Sequence, residues 1–294
     1  MTRFLDLRHD AIGGGLVGMD GVATFEATAI SNYTGLRRDE FVAALSGRDL
    51  LIVSHGFNVD RQAGIACLSN WERLLTPQLP ANMRFVGLLW PGDSTWAHGL
   101  DYPEEPRMAN DSGALLAAFL DTYLGEANSI SFISHSLGAR VVLETIARLS
   151  RPVRAALLMA PAIDDNCLNT EFRAAAKNTG QIAVLSSKMD HVLGMDFPLG
   201  NFLAGIIAAG HPWWRAALGH CGPVQPLPES FLSPHAIPDG WAFDHGDYLH
   251  IDAGPPPPIS PDALQLAPHA PLPGNGQPGW QEAFTAFFAA QRCS

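Results

Sequence analysis

The sequence predicts an α/β fold, a mostly parallel central sheet with helices on both faces, and three observations carry that prediction. Continuous apolar runs recur along the chain, at Asp49 to Asn58, Arg84 to Trp90, Ile130 to Ser134, Val153 to Met159 and Gln181 to Ser186. Runs of that length read as strands covered on both faces, which is the condition of a parallel sheet. Between them lie stretches with apolar residues at helical spacing, and alternation of the two patterns implies crossover helices above and below the sheet. The runs end in turn formers, His55-Gly56, Pro91-Gly92 and Ser136-Leu137-Gly138, which puts a row of tight turns along one edge.

Taken in order, residues 1 to 35 mix short apolar pieces such as Val22 to Thr28 with the glycine cluster Gly13-Gly14-Gly15, and read as edge strands and turns. A phosphate-binding glycine loop leads from a strand directly into a helix, whereas here a β-like segment follows the cluster. Asp49 to Asn58 is a buried strand delivering a glycine turn, followed by a helix to about Thr76. Arg84 to Trp90 is a second strand stopped by Pro91-Gly92, and a helix follows from about Met108 to Leu124. Ile130 to Leu143 then passes from strand through Ser134-His135-Ser136-Leu137-Gly138 directly into a helix on which Val142, Ile146 and Leu149 share a face. Val153 to Met159 and Gln181 to Ser186 are further strands, separated by a helical stretch around Glu171 to Lys177. Residues 197 to 241 lose periodicity and read as a cap or a set of surface loops. Residues 253 to 278, with Pro255 to Pro258, read as an extended proline-rich connection, after which Trp280 to Gln291 resumes helical spacing. No repeat is visible, and a single domain spanning 1–294 is expected.

Composition narrows the function classes. With 294 residues and 47% hydrophobic content the chain can bury a full core. A formal net charge of -11 argues against nucleic acid or an anionic membrane surface as partner, because both need a positive face, and favours an uncharged small molecule. The four cysteines, Cys67, Cys167, Cys221 and Cys293, form no metal or disulfide pattern. The eleven histidines contain no His-Glu-x-x-His, and His245 with His250 has the wrong spacing for one helical face, so no metal is expected. The N-terminus carries acidic residues where a signal peptide has its apolar run, and no stretch reaches transmembrane length, so the expectation is a cytoplasmic protein without membrane insertion. Oligomeric state leaves no mark in the sequence.

The strand, sharp turn and helix around Ser136 are the setting of a nucleophile elbow, in which a strained backbone angle lifts the serine hydroxyl clear of the sheet. Ser136 is therefore the candidate nucleophile, with Ser134 standing where the usual Gly-x-Ser-x-Gly pattern has its first glycine. Ligands in such sheets sit at the carboxyl ends of the strands, where His55, Gly56, Ser136 and Asp190 all fall. The turn His55 to Asn58 can supply the N–H of Phe57, which with the N–H of Leu137 would bind a developing oxyanion. Asp190, after the last strong strand, is the candidate acid; its bland alternative is a helix N-cap, and Asp164, one strand earlier, is its rival. His245, late in the chain and followed by Gly246, is the candidate base, with Gly246 expected to let its turn be shaped freely. His235, His250 and His269 compete with it.

At this point the chain resembles the α/β-hydrolase superfamily. It is most similar to bacterial members with an HGFN or HGYN turn, a Trp-Pro after the next strand, a His-Ser-x-Gly elbow and a late histidine near an aromatic residue. Here these are His55 to Asn58, Trp90-Pro91, His135 to Gly138, and His245 with Tyr248, so the resemblance covers about residues 49 to 250. It implies an α/β-hydrolase fold and acyl transfer to water, a serine hydrolase acting on carboxylic esters through Ser136, Asp190 and His245, with no cofactor. A thioesterase, amidase or acyltransferase would use the same residues, and a catalytically silent scaffold used for binding keeps the fold. The pocket walls are expected from residues 197 to 241, Phe202, Trp213 and Trp214 among them.

Overall fold

The computed structural model describes residues 1–9, 15–29, 32–93, 105–196, 215–232, 235–237, 239 and 243–248. The elements expected at 253–278 and 280–291, most of the 197–241 segment, and His250 and His269 lie outside the described residues.

Nine strands among the described residues form one sheet in the order β3-β2-β1-β5-β4-β6-β7-β8-β9. They are β1 (Thr2–Asp6), β2 (Ala23–Ala29), β3 (Asn32–Gly35), β4 (Asp49–Ser54), β5 (Met83–Leu89), β6 (Ser129–His135), β7 (Val153–Met159), β8 (Thr179–Ser186) and β9 (His235–Ala236). From β1 across β5, β4, β6, β7 and β8 to β9 every pairing is parallel, and the two pairings that β2 makes at the other edge, with β1 and with β3, are antiparallel. The first 35 residues thus supply edge strands, and the apolar runs supply the parallel centre.

The α-helices of five residues or more among the described residues are α1 (Arg38–Leu45), α2 (Arg61–Leu75), α3 (Glu105–Tyr123), α4 (Gly138–Arg148) and α5 (Arg173–Lys177). Alternation along β4 shows how the sheet is sandwiched. Leu50 and Ile52 belong to one core with Phe41 of α1, Phe119 of α3 and Val142 and Ile146 of α4. Leu51 and Val53 point the other way, into a core with Ile65, Leu68 and Trp71 of α2. All four β4 residues are fully buried, so the run is apolar throughout rather than alternating. The α1 helix escapes the sequence reading because only Phe41 and Leu45 of its eight residues are buried, too few to mark a stripe.

Among the described residues no helix is long and apolar enough to cross a membrane.

Candidate active site

Three residues other than glycine have positive φ among the described residues: Asn58 at 58°, Ser136 at 52° and Ala160 at 42°. Each lies just past the carboxyl end of a central strand, β4, β6 and β7 respectively. Left-handed backbone is costly outside glycine, so its concentration on one sheet edge marks that edge as the strained, functional one.

The elbow is compact because its neighbours have no side chains to hold it open. A β-carbon at Gly138 would lie 2.2 Å from the His55 carbonyl oxygen, and one at Gly56 would lie 2.9 Å from Ser136 Cβ. The turn after β4 therefore lies against the serine. Ser136 is itself held by its backbone, its N–H donating to Met159 O at 3.0 Å and its carbonyl accepting from Ala162 N at 3.2 Å. Leu137 opens α4 in helical geometry, φ -65° and ψ -19°. No described acceptor meets the N–H of Phe57 or of Leu137.

The structure brings Ser136, Asp190 and His245 together from three parts of the chain. Ser136 Oγ lies 2.9 Å from His245 Nε2. His245 Nδ1 lies 2.8 Å from Asp190 Oδ2. A carboxylate only accepts, so the Nδ1–H donates to it and the Nε2 lone pair is left to take the Ser136 hydroxyl proton. Asp190 has no solvent-accessible surface. Its other oxygen, Oδ1, accepts from Leu193 N at 2.9 Å at the start of the π-helical turn Val192–Asp196. The same carboxylate thus does the work of a helix cap and meets the imidazole.

Asp164, the rival acid, lies on the preceding connection in an isolated bridge with Ala217. Burial pushes its carboxyl above the usual carboxylate range. Of the competing histidines, His235 belongs to β9, paired in register with Leu185. Gly246 plays no conformational part: its φ is not positive and a β-carbon there would meet nothing within 4 Å. The turn carrying His245 is closed instead by acidic residues, Asp247 N–H donating to Asp244 O at 3.0 Å and Asp244 N–H to Asp247 Oδ2 at 2.7 Å. A carboxylate reaching back three residues to a backbone N–H, as the acidic residue of a capping box does, supplies what a glycine was expected to supply.

Sequence reasoning assigned no role to the side chains of Arg8, His55 and Trp90, and all three hold the turn beside Ser136. The Trp90 indole N–H donates to the His55 carbonyl at 3.0 Å, and the Trp90 backbone N–H donates to His55 Nε2 at 3.3 Å. The Nδ1–H of His55 donates to Gly56 O at 2.8 Å. Burial holds the His55 imidazole down to about 4, so it stays neutral and keeps this tautomer. Beyond the turn, Arg8 donates to Val59 O at 3.0 Å and forms a buried ion pair with Asp93. A tryptophan ending a strand beside a proline was the one signal in the sequence for this bracing.

No group of three or more His, Cys, Asp or Glu residues suited to a metal occurs among the described residues.

A family model described as alpha/beta hydrolase of unknown function (DUF900) matches residues 36–202. Among solved structures the chain is similar to one of the metagenome-derived lipolytic enzymes LipS and LipT, at 14% identity over 50% of this chain and 75% of that one, with a TM-score of 0.33. A CIB-like hydrolase from Thermoplasma acidophilum is 12% identical over 78% of this chain and 91% of its own, with a TM-score of 0.40. An uncharacterized protein from Bacillus cereus is 16% identical over 57% of this chain, with a TM-score of 0.36, and the match spans only 56% of its length. No curated protein matches the sequence.

Proposed function

This chain belongs to the family of alpha/beta hydrolases of unknown function (DUF900), and on that premise we propose that it is a serine hydrolase cleaving carboxylic esters of small or medium, uncharged substrates. The observation that carries the reading is the continuous relay from Ser136 Oγ through His245 Nε2 and Nδ1 to Asp190 Oδ2, with hydrogen bonds of 2.9 and 2.8 Å. In the reaction His245 takes the Ser136 proton as Oγ attacks the ester carbonyl, and the carbonyl π electrons move onto oxygen. The N–H groups of Phe57 and Leu137 receive that oxyanion, aided by the amino end of α4. Collapse breaks the bond to the alkoxide, which leaves as the alcohol with the proton held by His245. Water then attacks the acyl-enzyme while His245 takes its proton, and the second collapse returns that proton to Ser136 Oγ and frees the acid. Asp190 stays ionised throughout and stabilises the imidazolium formed in each half.

The test is a panel of aryl and alkyl esters of increasing acyl length, run beside a serine-reactive phosphonate. Hydrolysis of short-chain esters, lost on phosphonate labelling, is the expected result. A protein that turns over no ester and takes no label would sink the reading.

A further inference from the structure

His135, which ends β6 directly before Ser136, takes no part in the steps above, yet its imidazole joins two parts of the site. Its Nε2 lies 2.8 Å from the backbone carbonyl oxygen of His245, 110 residues away in sequence. A carbonyl only accepts, so Nε2 carries the hydrogen and donates it. The residue is 7% exposed and its ring is wedged among aromatic rings, with centroids 4.8 Å from His245, 5.9 Å from Tyr248 and 6.2 Å from Trp71.

The loop 243–248 is otherwise fastened on the side of the acid. Ser187 Oγ–H donates to Phe243 O at 2.6 Å, and His191 N–H donates to Asp244 Oδ1 at 3.0 Å. Both donors belong to the connection after β8 that also carries Asp190. Among the described residues, the backbone of this loop meets the strand of the nucleophile through one hydrogen bond, that from His135.

We propose that His135 is a positioning residue: it ties the loop of the general base to the strand of the nucleophile and so sets the Ser136–His245 distance. The proposal rests on the assignment of Ser136 and His245 as nucleophile and base. Burial holds the His135 imidazole down to about 3. The ring therefore stays a neutral donor and adds no second positive charge beside the imidazolium that His245 becomes during turnover. A misplacement of about 1 Å between reacting groups can cost about 100-fold in rate, so one such tie is enough to matter.

The test compares His135→Phe, which keeps a ring but no donor, with His135→Gln, whose amide N–H reaches about as far as Nε2, and His135→Asn, whose amide is too short. On a short-chain aryl ester, His135→Phe is expected to lower kcat about 10- to 100-fold with KM within about two-fold, and to slow phosphonate labelling in parallel. His135→Gln should recover kcat to within about three-fold, and His135→Asn should not. In proton NMR the Nδ1–H resonance of His245 should persist in His135→Phe, because the loop stays fastened to the acid. A collapsed loop would lose that resonance. If His135→Phe fails to fold, the contrast between Gln and Asn decides. A wild-type rate in His135→Phe, or equal losses in Gln and Asn, overturns the proposal while the hydrolase reading stands. A wild type that neither hydrolyses esters nor takes label at Ser136 overturns both.

Discussion

Gly138 packs on His55 so closely that a β-carbon at 138 would lie 2.2 Å from the His55 carbonyl oxygen and 2.9 Å from Ser54 Oγ. The amino end of α4 is thereby seated on the turn that follows β4, the same turn whose Gly56 lies against Ser136. Backbone lies on both sides of the contact, so neither side can yield cheaply.

Gly138→Ala is therefore expected to destabilise the protein by about 1 to 3 kcal/mol, as overpacking does, and to remove most ester hydrolysis by spreading the elbow. Gly246→Ala is the control, since a methyl there meets nothing within 4 Å and the backbone angle is open to alanine. It should shift stability by less than about 0.5 kcal/mol. Urea unfolding of the two variants side by side makes the comparison, and equal losses would mean that the elbow is not where the tight contact lies.

Asp190→Asn should lower kcat by about four orders of magnitude with a small change in melting temperature. The asparagine carbonyl can still accept from Leu193 N, which Asp190 Oδ1 does in the native protein. Its NH2 then faces His245 Nδ1 and favours the wrong tautomer. Asp164→Asn, on the neighbouring connection, should be far milder. Steady-state kinetics on one ester rank the two, and a reversed ranking would move the acid one strand earlier.

The parallel centre of the fold was legible because β4, β6 and β7 are buried on both faces, which leaves an unbroken apolar run in the sequence. The α1 helix was not, since only Phe41 and Leu45 of its eight residues are buried and no apolar stripe marks it. The residues that meet at the site, Ser136, Asp190 and His245, were nameable because each follows a strand or falls late in the chain, in the order a serine, acid and base constellation requires. Their bracing was illegible. Trp90 and His55 meet through donor and acceptor directions that no spacing encodes, and the two aspartates closing the His245 turn left Gly246 a bystander.

Stability should fall as the solution is acidified from neutrality. Burial holds His55 down to about 4 and His135 to about 3, both below the 6.5 of an unfolded imidazole. Between pH 6.5 and about 4 the unfolded chain binds protons at these two positions that the native state refuses, so acidification favours unfolding. Each ring contributes roughly 1 kcal/mol per pH unit in that window. Asp6 and Glu72, whose carboxyls burial pushes up, bind protons first in the native state and offset part of the loss toward its acid end. Urea titrations at pH 7.5, 6.5 and 5.5 measure the slope, and His135→Gln should remove about half of it. A flat profile between pH 6.5 and 5.5 would mean that these rings titrate normally in the native protein.

The central claim is that Ser136 forms the acyl-enzyme, and phosphonate labelling followed by sequencing of the labelled peptide addresses it directly. Label should reside on the peptide holding Ser136, and Ser136→Ala, which removes only the hydroxyl, should lose labelling and ester hydrolysis together while keeping its melting temperature. Label on Ser131 or Ser134, or turnover persisting in Ser136→Ala, would contradict it.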